Sequence, residues 1–485
     1  MIGNIMHQDS EKTAIISDTE HITYGKLAKH ITTHQKQLSH QLSDVKGKRV
    51  AILLENGIDF LKMFFAVSAS GGIAIPLDPK WSGHQFSMVL QDCDPDLIIV
   101  HKTLQSKMPD HESWPVITME DFIQLEPEDT KPQSGNEQDI FYIGYTSGTT
   151  GTPKGFMRTH QSWFACFEDC QHVFELQPKD YILSPGPLVH SHFLFAAVQA
   201  LHMGATLNVC KSFTPQAVLQ KMKEHQISVL YIVPTIFESL IQTSDEEVPS
   251  LRKIISSGAK WKKESKERVP KLFPNAEMIE FFGASELSFV TYLMPHEHEQ
   301  KGETVGRTFP NVELQVKKSD GSLAKPNEIG ELYVKSPWVF NGYLNRPEET
   351  ANVFNNGWVT IGDLATIDEG GYLTIIGRKH NMIISGGLNI YPEEVEQVFA
   401  ELPQIEEIAV LGVEDTYWGE KVVAVFTAHQ NMEKESLHQH GKRFLPSYKC
   451  PKEYYVVDQL PHTSSGKVAR KKVKEMLKTL TPIQS

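Results

Sequence analysis

At 485 residues the chain exceeds one ordinary core and points to two to four structural units, while 40% hydrophobic and 22% charged residues set it apart from disordered or fibrous proteins. Its net charge of −13 repels nucleic acid and anionic lipid, so neither is an expected partner. The five cysteines, at positions 93, 166, 170, 210 and 450, are odd in number and too scattered for a disulfide framework, which leads us to expect a reducing, cytoplasmic setting.

The opening residues, MIGNIMHQDSEK, lack a basic region followed by an apolar run, so no secretory leader is expected in them. Residues 49–79 read as apolar strand, amphipathic helix, glycine pair and apolar strand, which is a strand–helix–strand unit of a parallel, helix-covered sheet. The most apolar stretch, residues 60–77, is interrupted by Lys62, Ser68, Ser70 and Gly71-Gly72, so no transmembrane segment is expected there. Residues 126–139 are acidic, polar and rich in Pro and Gly, the composition of a surface connection. Cys166 and Cys170 would share a helix face near His172, but their spacing matches no four-ligand zinc pattern.

The strand–helix rhythm returns at 218–235 (VLQKMKEHQISVLYIVPT) and 252–260 (RKIISSGAK), so the fold class is α/β. After about residue 305 the helices thin out. Short alternating strands such as VELQVKK and ELYVKS, separated by DG and PNEIG turns, predict a β-rich subdomain over about 305–379. The composition changes again at Arg378-Lys379-His380. We therefore expect a large N-terminal domain of stacked, helix-covered sheets over 1–379 and a small mobile α+β domain over 380–485.

Chemistry concentrates first in Tyr145-Thr-Ser-Gly-Thr-Thr-Gly-Thr-Pro-Lys-Gly155, where three glycines, five hydroxyl residues and one lysine follow an apolar strand. Glycines let backbone N–H groups converge on phosphate oxygens, hydroxyls donate further hydrogen bonds, and Lys154 adds charge. A hydroxyl-rich surface turn is the alternative. The loop is not a Walker motif, because no Gly-Lys-Ser/Thr closes it. Near the far end, Pro461-His-Thr-Ser-Ser-Gly-Lys467 repeats the combination of hydroxyls, glycine and lysine.

With these two loops the chain resembles the acyl-CoA synthetases of the adenylate-forming superfamily, which also holds firefly luciferase and nonribosomal-peptide adenylation domains. Further landmarks follow in family order: Phe282-Gly283-Ala-Ser285-Glu286, Val305-Gly-Arg307, Gly330-Glu331, Gly342-Tyr343, Gly357-Trp358, Gly362-Asp363, Gly377-Arg378 and Gly386-Gly387-Leu-Asn-Ile-Tyr-Pro-Glu-Glu394. The resemblance implies that Thr146, Ser147, Gly148, Thr149, Thr150, Gly151 and Lys154 hold the ATP β- and γ-phosphates. It implies Mg²⁺ on Glu286, the α-phosphate near Ser285, and adenine between Phe282 and Gly258-Ala259. Asp363 and Arg378 would hold the ribose hydroxyls. Those types suit those tasks: a hard cation takes a carboxylate beside phosphate oxygens, and a diol matches two acceptor oxygens. Any one of these acidic residues on its own would more often be a solvated loop residue.

The same resemblance makes CoA the acyl acceptor, because Gly386 and Gly387 stand in the CoA-ligase version of their loop. A carrier-protein substrate is the alternative, and a degenerate binding protein that keeps the fold is another. His190, in Pro187-Leu-Val-His190, is expected to face the reacting carboxylate, the other reading being a hydrogen-bonded core histidine. The chain departs from the family at His192-Phe193, Lys260-Trp261, Ile361 and at the expected hinge, His380, where Asp or Lys is usual. The bulk of Phe193 suggests a shortened pocket. We expect an apolar monocarboxylic acid, fatty or aromatic, since no acidic anchor for an amino group stands out.

Lys467 is the residue expected to bring a cation to the carboxylate and the α-phosphate during adenylation, where negative charge crowds the reacting centre. The alternative is a solvated lysine of the basic tail KVARKKVKEMLK. Lys467→Ala should abolish adenylate formation while leaving CoA transfer from a supplied acyl-adenylate largely intact. Equal loss in the two half-reactions would refute the assignment.

Overall fold

The computed structural model describes residues 2–108, 114–128, 135–146, 153–261, 263–385, 388–430, 432–463 and 466–483. They divide into two compact units. The first takes residues up to 146, 153–313 and 334–359, and the second takes 314–333 and 360 onward.

The first unit is built on two sheets. In one, Val116–Thr118, Leu97–Val100, Arg49–Leu53, Ile73–Pro76 and Ile140–Thr146 run parallel, and Lys154–Thr159 closes the edge antiparallel. The apolar runs at 49–53, 73–76 and 97–100 fill these strands because both faces are covered, so they do not alternate. The other sheet has nine strands in the order Arg307–Thr308, Ser288–Leu293, Glu277–Ala284, Lys253–Ser256, Val229–Ile232, Tyr181–Ser184, Thr206–Val209, Thr13–Ile16 and His21–Thr23. The six strands from Glu277–Ala284 to Thr13–Ile16 are parallel.

Helices Pro215–Glu224, Pro234–Thr243 and Lys263–Leu272 cover one face of this sheet, with Val218, Met222, Phe237, Leu240 and Val269 in a shared core. Thr214 caps the first of them through the Ala217 N–H, and proline occupies the first turn of two of them. Trp261, an oddity of the sequence, belongs to this core. Its indole N–H donates to Ser256 Oγ at 2.7 Å and its ring lies 4.6 Å from Phe237. A second apolar layer is aromatic, with Phe141, Tyr142, Trp163, Phe195 and Phe289 linked by edge-on and tilted ring contacts.

In the second unit, Asp363–Ile367 and Leu373–Arg378 form an antiparallel pair, and Gly330 and Glu331 pair with Ala365 and Leu364. Farther along, Ile405–Asp415 and Gly419–Ala428 make a long hairpin, joined by Ile383–Ser385 and, in parallel, by Glu453–Val456. Helices Pro392–Ala400 and Lys434–Phe444 pack Val395, Phe399 and Leu437 against it. Arg470 grips the Glu396 carboxylate with both Nη atoms, each at 2.7 Å. Burial raises the Glu396 carboxyl, and Arg470 pulls it back only in part.

Burial pushes His160, His192 and His298 of the first unit down to about 4. Their folded values lie below the ordinary 6.5, so between these limits the unfolded chain binds more protons than the folded one. Stability is therefore complete above about pH 6.5 and falls toward pH 4, by up to about 1.4 kcal/mol per pH unit for each histidine. His160 stacks on Phe141 at 4.7 Å, so His160→Phe keeps the packing and removes one such proton. Thermal unfolding between pH 7 and 4.5 should show a shallower loss in the variant. An unchanged slope would remove His160 from the acid sensitivity.

Candidate active site

In parallel sheets, ligands gather at the carboxyl ends of the strands, above all where neighbouring connections depart in opposite directions. Here Tyr181–Ser184 lies between Thr206–Val209 on one side and Val229–Ile232 on the other, so the connection after it opens at such a point. That connection, residues 185–190, leads to His190, which sits just ahead of helix Ser191–His202. Ser191 Oγ lies 3.4 Å from Ser285 Oγ, so the loops after two strands of this sheet meet.

The other sheet-end residues belong to the same edge. Gly258 and Ala259 follow Lys253–Ser256 and are exposed, and Gly258 adopts φ +95°, which suits glycine alone. Phe282 and Gly283 end strand Glu277–Ala284, with Ser285 and Glu286 in the turn that follows. Gly283 is forced, because a Cβ there would come within 2.1 Å of the Ser288 carbonyl oxygen.

The other sheet supplies the lysine. Thr146 and Lys154 are direct cross-strand partners, so the two ends of the hydroxyl-rich loop are held side by side. Ser147, Gly148, Thr149, Thr150 and Gly151 lie outside the described residues. On its other edge the Lys154 strand bonds to residues 341–344: Met157 N–H donates to Gly342 O at 3.0 Å, Asn341 N–H to Met157 O at 2.8 Å, and Leu344 N–H to Gly155 O at 2.8 Å. This brings Tyr343 between the lysine and the carboxylate. Lys154 Nζ is 5.5 Å from the Tyr343 ring centroid, and Tyr343 Oη donates to Glu286 Oε1 at 2.9 Å. Phe340 N–H donates to the Glu286 carbonyl at 2.8 Å. Lys154, Tyr343 and Glu286 thus form one cluster. Lys154 is also ion-paired with Glu349.

Other predicted residues sit in the second unit. Asp363 and Arg378 are cross-strand partners, with Arg378 Nε 3.0 Å from Asp363 Oδ1, and Asp363 is buried. Lys467 is exposed in a tight turn in which Thr463 N–H donates to Lys467 O at 2.7 Å and Gly466 takes φ +80°. Gly386 and Gly387 lie outside the described residues. Among the described residues no group of three or more His, Cys, Asp or Glu side chains is arranged to hold a metal.

Two participants escaped the sequence reading. Tyr343 was visible as a Gly-Tyr landmark without a role. Glu349 carried no signal, because its partner is remote in the chain.

A lysine at the foot of a hydroxyl-rich loop, close to a carboxylate, suits a nucleotide-consuming enzyme, and comparison with known proteins agrees. The chain belongs to the AMP-binding enzyme family, whose profile matches residues 4–344, and the profile of the AMP-binding enzyme C-terminal domain matches 394–467. It is similar to the uncharacterized acyl-CoA ligase YhfT of Bacillus subtilis (strain 168), 39% identical over 472 residues that cover 96% of this chain and 95% of that protein. Among solved structures it resembles the o-succinylbenzoate CoA synthetase MenE of Bacillus subtilis in complex with the acyl-adenylate OSB-AMP, with TM-score 0.91, 28% identity and coverage of 98% and 97%. The same enzyme in complex with ATP and magnesium ion gives TM-score 0.91 at 27% identity, with 98% of each chain covered.

Proposed function

We infer that this chain is an AMP-forming acid:CoA ligase. ATP and a carboxylic acid give an enzyme-held acyl-adenylate and pyrophosphate, and the thiol of CoA then takes the acyl group and releases AMP. The observation that carries the reading is the Lys154–Tyr343–Glu286 cluster at the foot of the hydroxyl-rich loop.

In this reading Thr146 and Lys154 flank the β- and γ-phosphates, Ser285 lies by the α-phosphate, and Phe282 with Gly258 and Ala259 encloses adenine. Asp363 and Arg378 take the ribose hydroxyls. A single carboxylate with a hydroxyl partner fits Mg²⁺, which keeps waters and shares phosphate oxygens instead of demanding an all-protein cage. Bound at Glu286, Mg²⁺ would offset charge on the departing pyrophosphate. Lys467 supplies the cation for attack of the carboxylate on the α-phosphorus, and Gly386 and Gly387 accommodate the pantetheine arm. A mobile domain beginning near His380 would present these two features in turn.

The acid is apolar, fatty or aromatic, and of limited length. Phe193 is buried against Gly186, where an added Cβ would come within 2.1 Å of the ring, so this side chain fills space beside the His190 loop. We also assign the enzyme to the cytoplasm. The five cysteines are free and buried, and no described helix is long and apolar enough to cross a membrane.

A panel of carboxylic acids assayed for acid-dependent exchange of pyrophosphate into ATP, with and without CoA, tests the reading. Exchange with a short fatty or aromatic acid, and AMP release that requires CoA, is expected. Exchange without any CoA-dependent AMP release would favour a carrier-protein acceptor, and no exchange at all would leave only a binding protein. Tyr343→Phe removes a hydrogen bond to a charged carboxylate, an interaction worth about 1.5–3 kcal/mol, so KM for Mg²⁺–ATP should rise about tenfold or more while KM for the acid stays within about twofold. An unchanged nucleotide KM would separate Tyr343 from the site.

A further inference from the structure

Along strand Lys154–Thr159, alternate side chains share a face, so Lys154, Phe156 and Arg158 point the same way. Arg158 is fully buried, although arginine is among the residues least often found inside without a carboxylate partner. Its acceptors are neutral oxygens. Nη1 donates to Ser285 O at 3.3 Å, and Nη2 donates to Ser162 O at 3.3 Å, to Trp338 O at 2.7 Å and to Ser288 Oγ. Ser288 Oγ in turn donates to Trp338 O at 3.1 Å.

Two of these acceptors, Ser285 and Ser288, bracket the turn that carries Glu286. Ser288 holds φ +58°, a left-handed conformation that a non-glycine residue keeps only when its surroundings impose it. Leu287, between them, is buried, with its N–H on Ala284 O at 3.1 Å. A further acceptor, Trp338, anchors the segment that leads to Phe340 and Tyr343, which hold the backbone and the carboxylate of Glu286. One guanidinium thus ties together the strand bearing Lys154, the turn bearing Ser285 and Glu286, and the segment bearing Tyr343. The carboxylate of Glu286 also acts on it electrostatically. Burial lowers the Arg158 guanidinium to about 10, so it stays charged at neutral pH.

We propose that Arg158 is a positioning residue that holds Ser285 and Glu286 in the shape that receives the magnesium–triphosphate, and that supplies a fixed positive charge beneath them. The proposal rests on the nucleotide reading given above. The planar fork of arginine reaches several carbonyls at once, which a lysine ammonium does only in part.

The test uses the full-length enzyme in acid-dependent pyrophosphate exchange, titrated with Mg²⁺ and with ATP, beside circular dichroism and thermal unfolding. Residues that orient a metal ligand typically change metal affinity 10–100-fold, so Arg158→Met should raise the half-saturating Mg²⁺ concentration about tenfold or more. KM for the acid should stay within about twofold, and Arg158→Lys should recover part of the Mg²⁺ response. A folded Arg158→Met with a wild-type Mg²⁺ response, or a rate loss spread evenly over all substrates, would reduce Arg158 to a core residue and overturn the proposal. Where Arg158→Met does not fold, Arg158→Lys decides, since an unshifted Mg²⁺ response in it has the same force. Wild-type enzyme without any exchange would defeat the nucleotide reading itself, a separate result.

Discussion

The backbone of residues 155–157 is hydrogen-bonded on both edges, and the site in the first unit depends on that. One edge pairs with the strand ending at Thr146, which fixes the two ends of the hydroxyl-rich loop against each other. The other edge pairs with residues 341–344, which delivers Tyr343 to Glu286. A short strand with a free edge would leave Lys154 on a flexible arm. Bonding on both sides turns the lysine into a charge at a defined distance from a carboxylate, so electrostatic stabilisation requires little reorganisation when phosphate arrives.

What the sequence made legible follows from which forces are local. Parallel strands buried on both faces must be continuously apolar, so residues 49–53, 73–76 and 229–232 could be read directly. The phosphate loop was legible because glycine, hydroxyl and lysine chemistry are adjacent in the chain. Tyr343, Glu349 and Arg158 were not, because each acquires meaning from a partner between 50 and 200 residues away. Arg158 is the extreme case, because its burial is explained only by the turn at 285–288 and the Trp338 carbonyl, both more than a hundred residues on. Trp261 stood out only as a departure from the family pattern. Although it follows the exposed Gly258-Ala259-Lys260 stretch, it belongs to the core with helix Pro234–Thr243.

Under the proposed function, the region behind His190 serves the scaffold and the acyl specificity with the same residues. Phe193 lies on Gly186, and His192 lies 4.9 Å from the Phe193 ring and 5.6 Å from that of Phe281. Phe281 directly precedes Phe282, which the proposed function sets beside adenine. A substitution that enlarges the space at Phe193 therefore acts on the wall of strand Glu277–Ala284, which leads into Ser285 and Glu286. Under the proposed function this couples acid selectivity to nucleotide geometry by ordinary packing, because close-packed interiors transmit a change in volume to their neighbours.

Burying Arg158 costs desolvation, and neutral carbonyls repay it only in part, so a hydrophobic residue of similar volume would serve stability as well or better. The arginine is better understood through charge. The protein as a whole carries −13, and a polyphosphate must still be drawn to a turn that already holds the Glu286 carboxylate. Lys154, partly exposed, is neutralised by Glu349, and under the proposed function a phosphate would take that carboxylate's place. Arg158 has no carboxylate among its hydrogen-bond acceptors, so its charge is not cancelled locally and salt screens it poorly. A permanent cation under the Glu286 turn lets a carboxylate, a divalent cation and a triphosphate assemble without a large net charge in either direction. The same guanidinium that shapes the turn therefore also balances its charge.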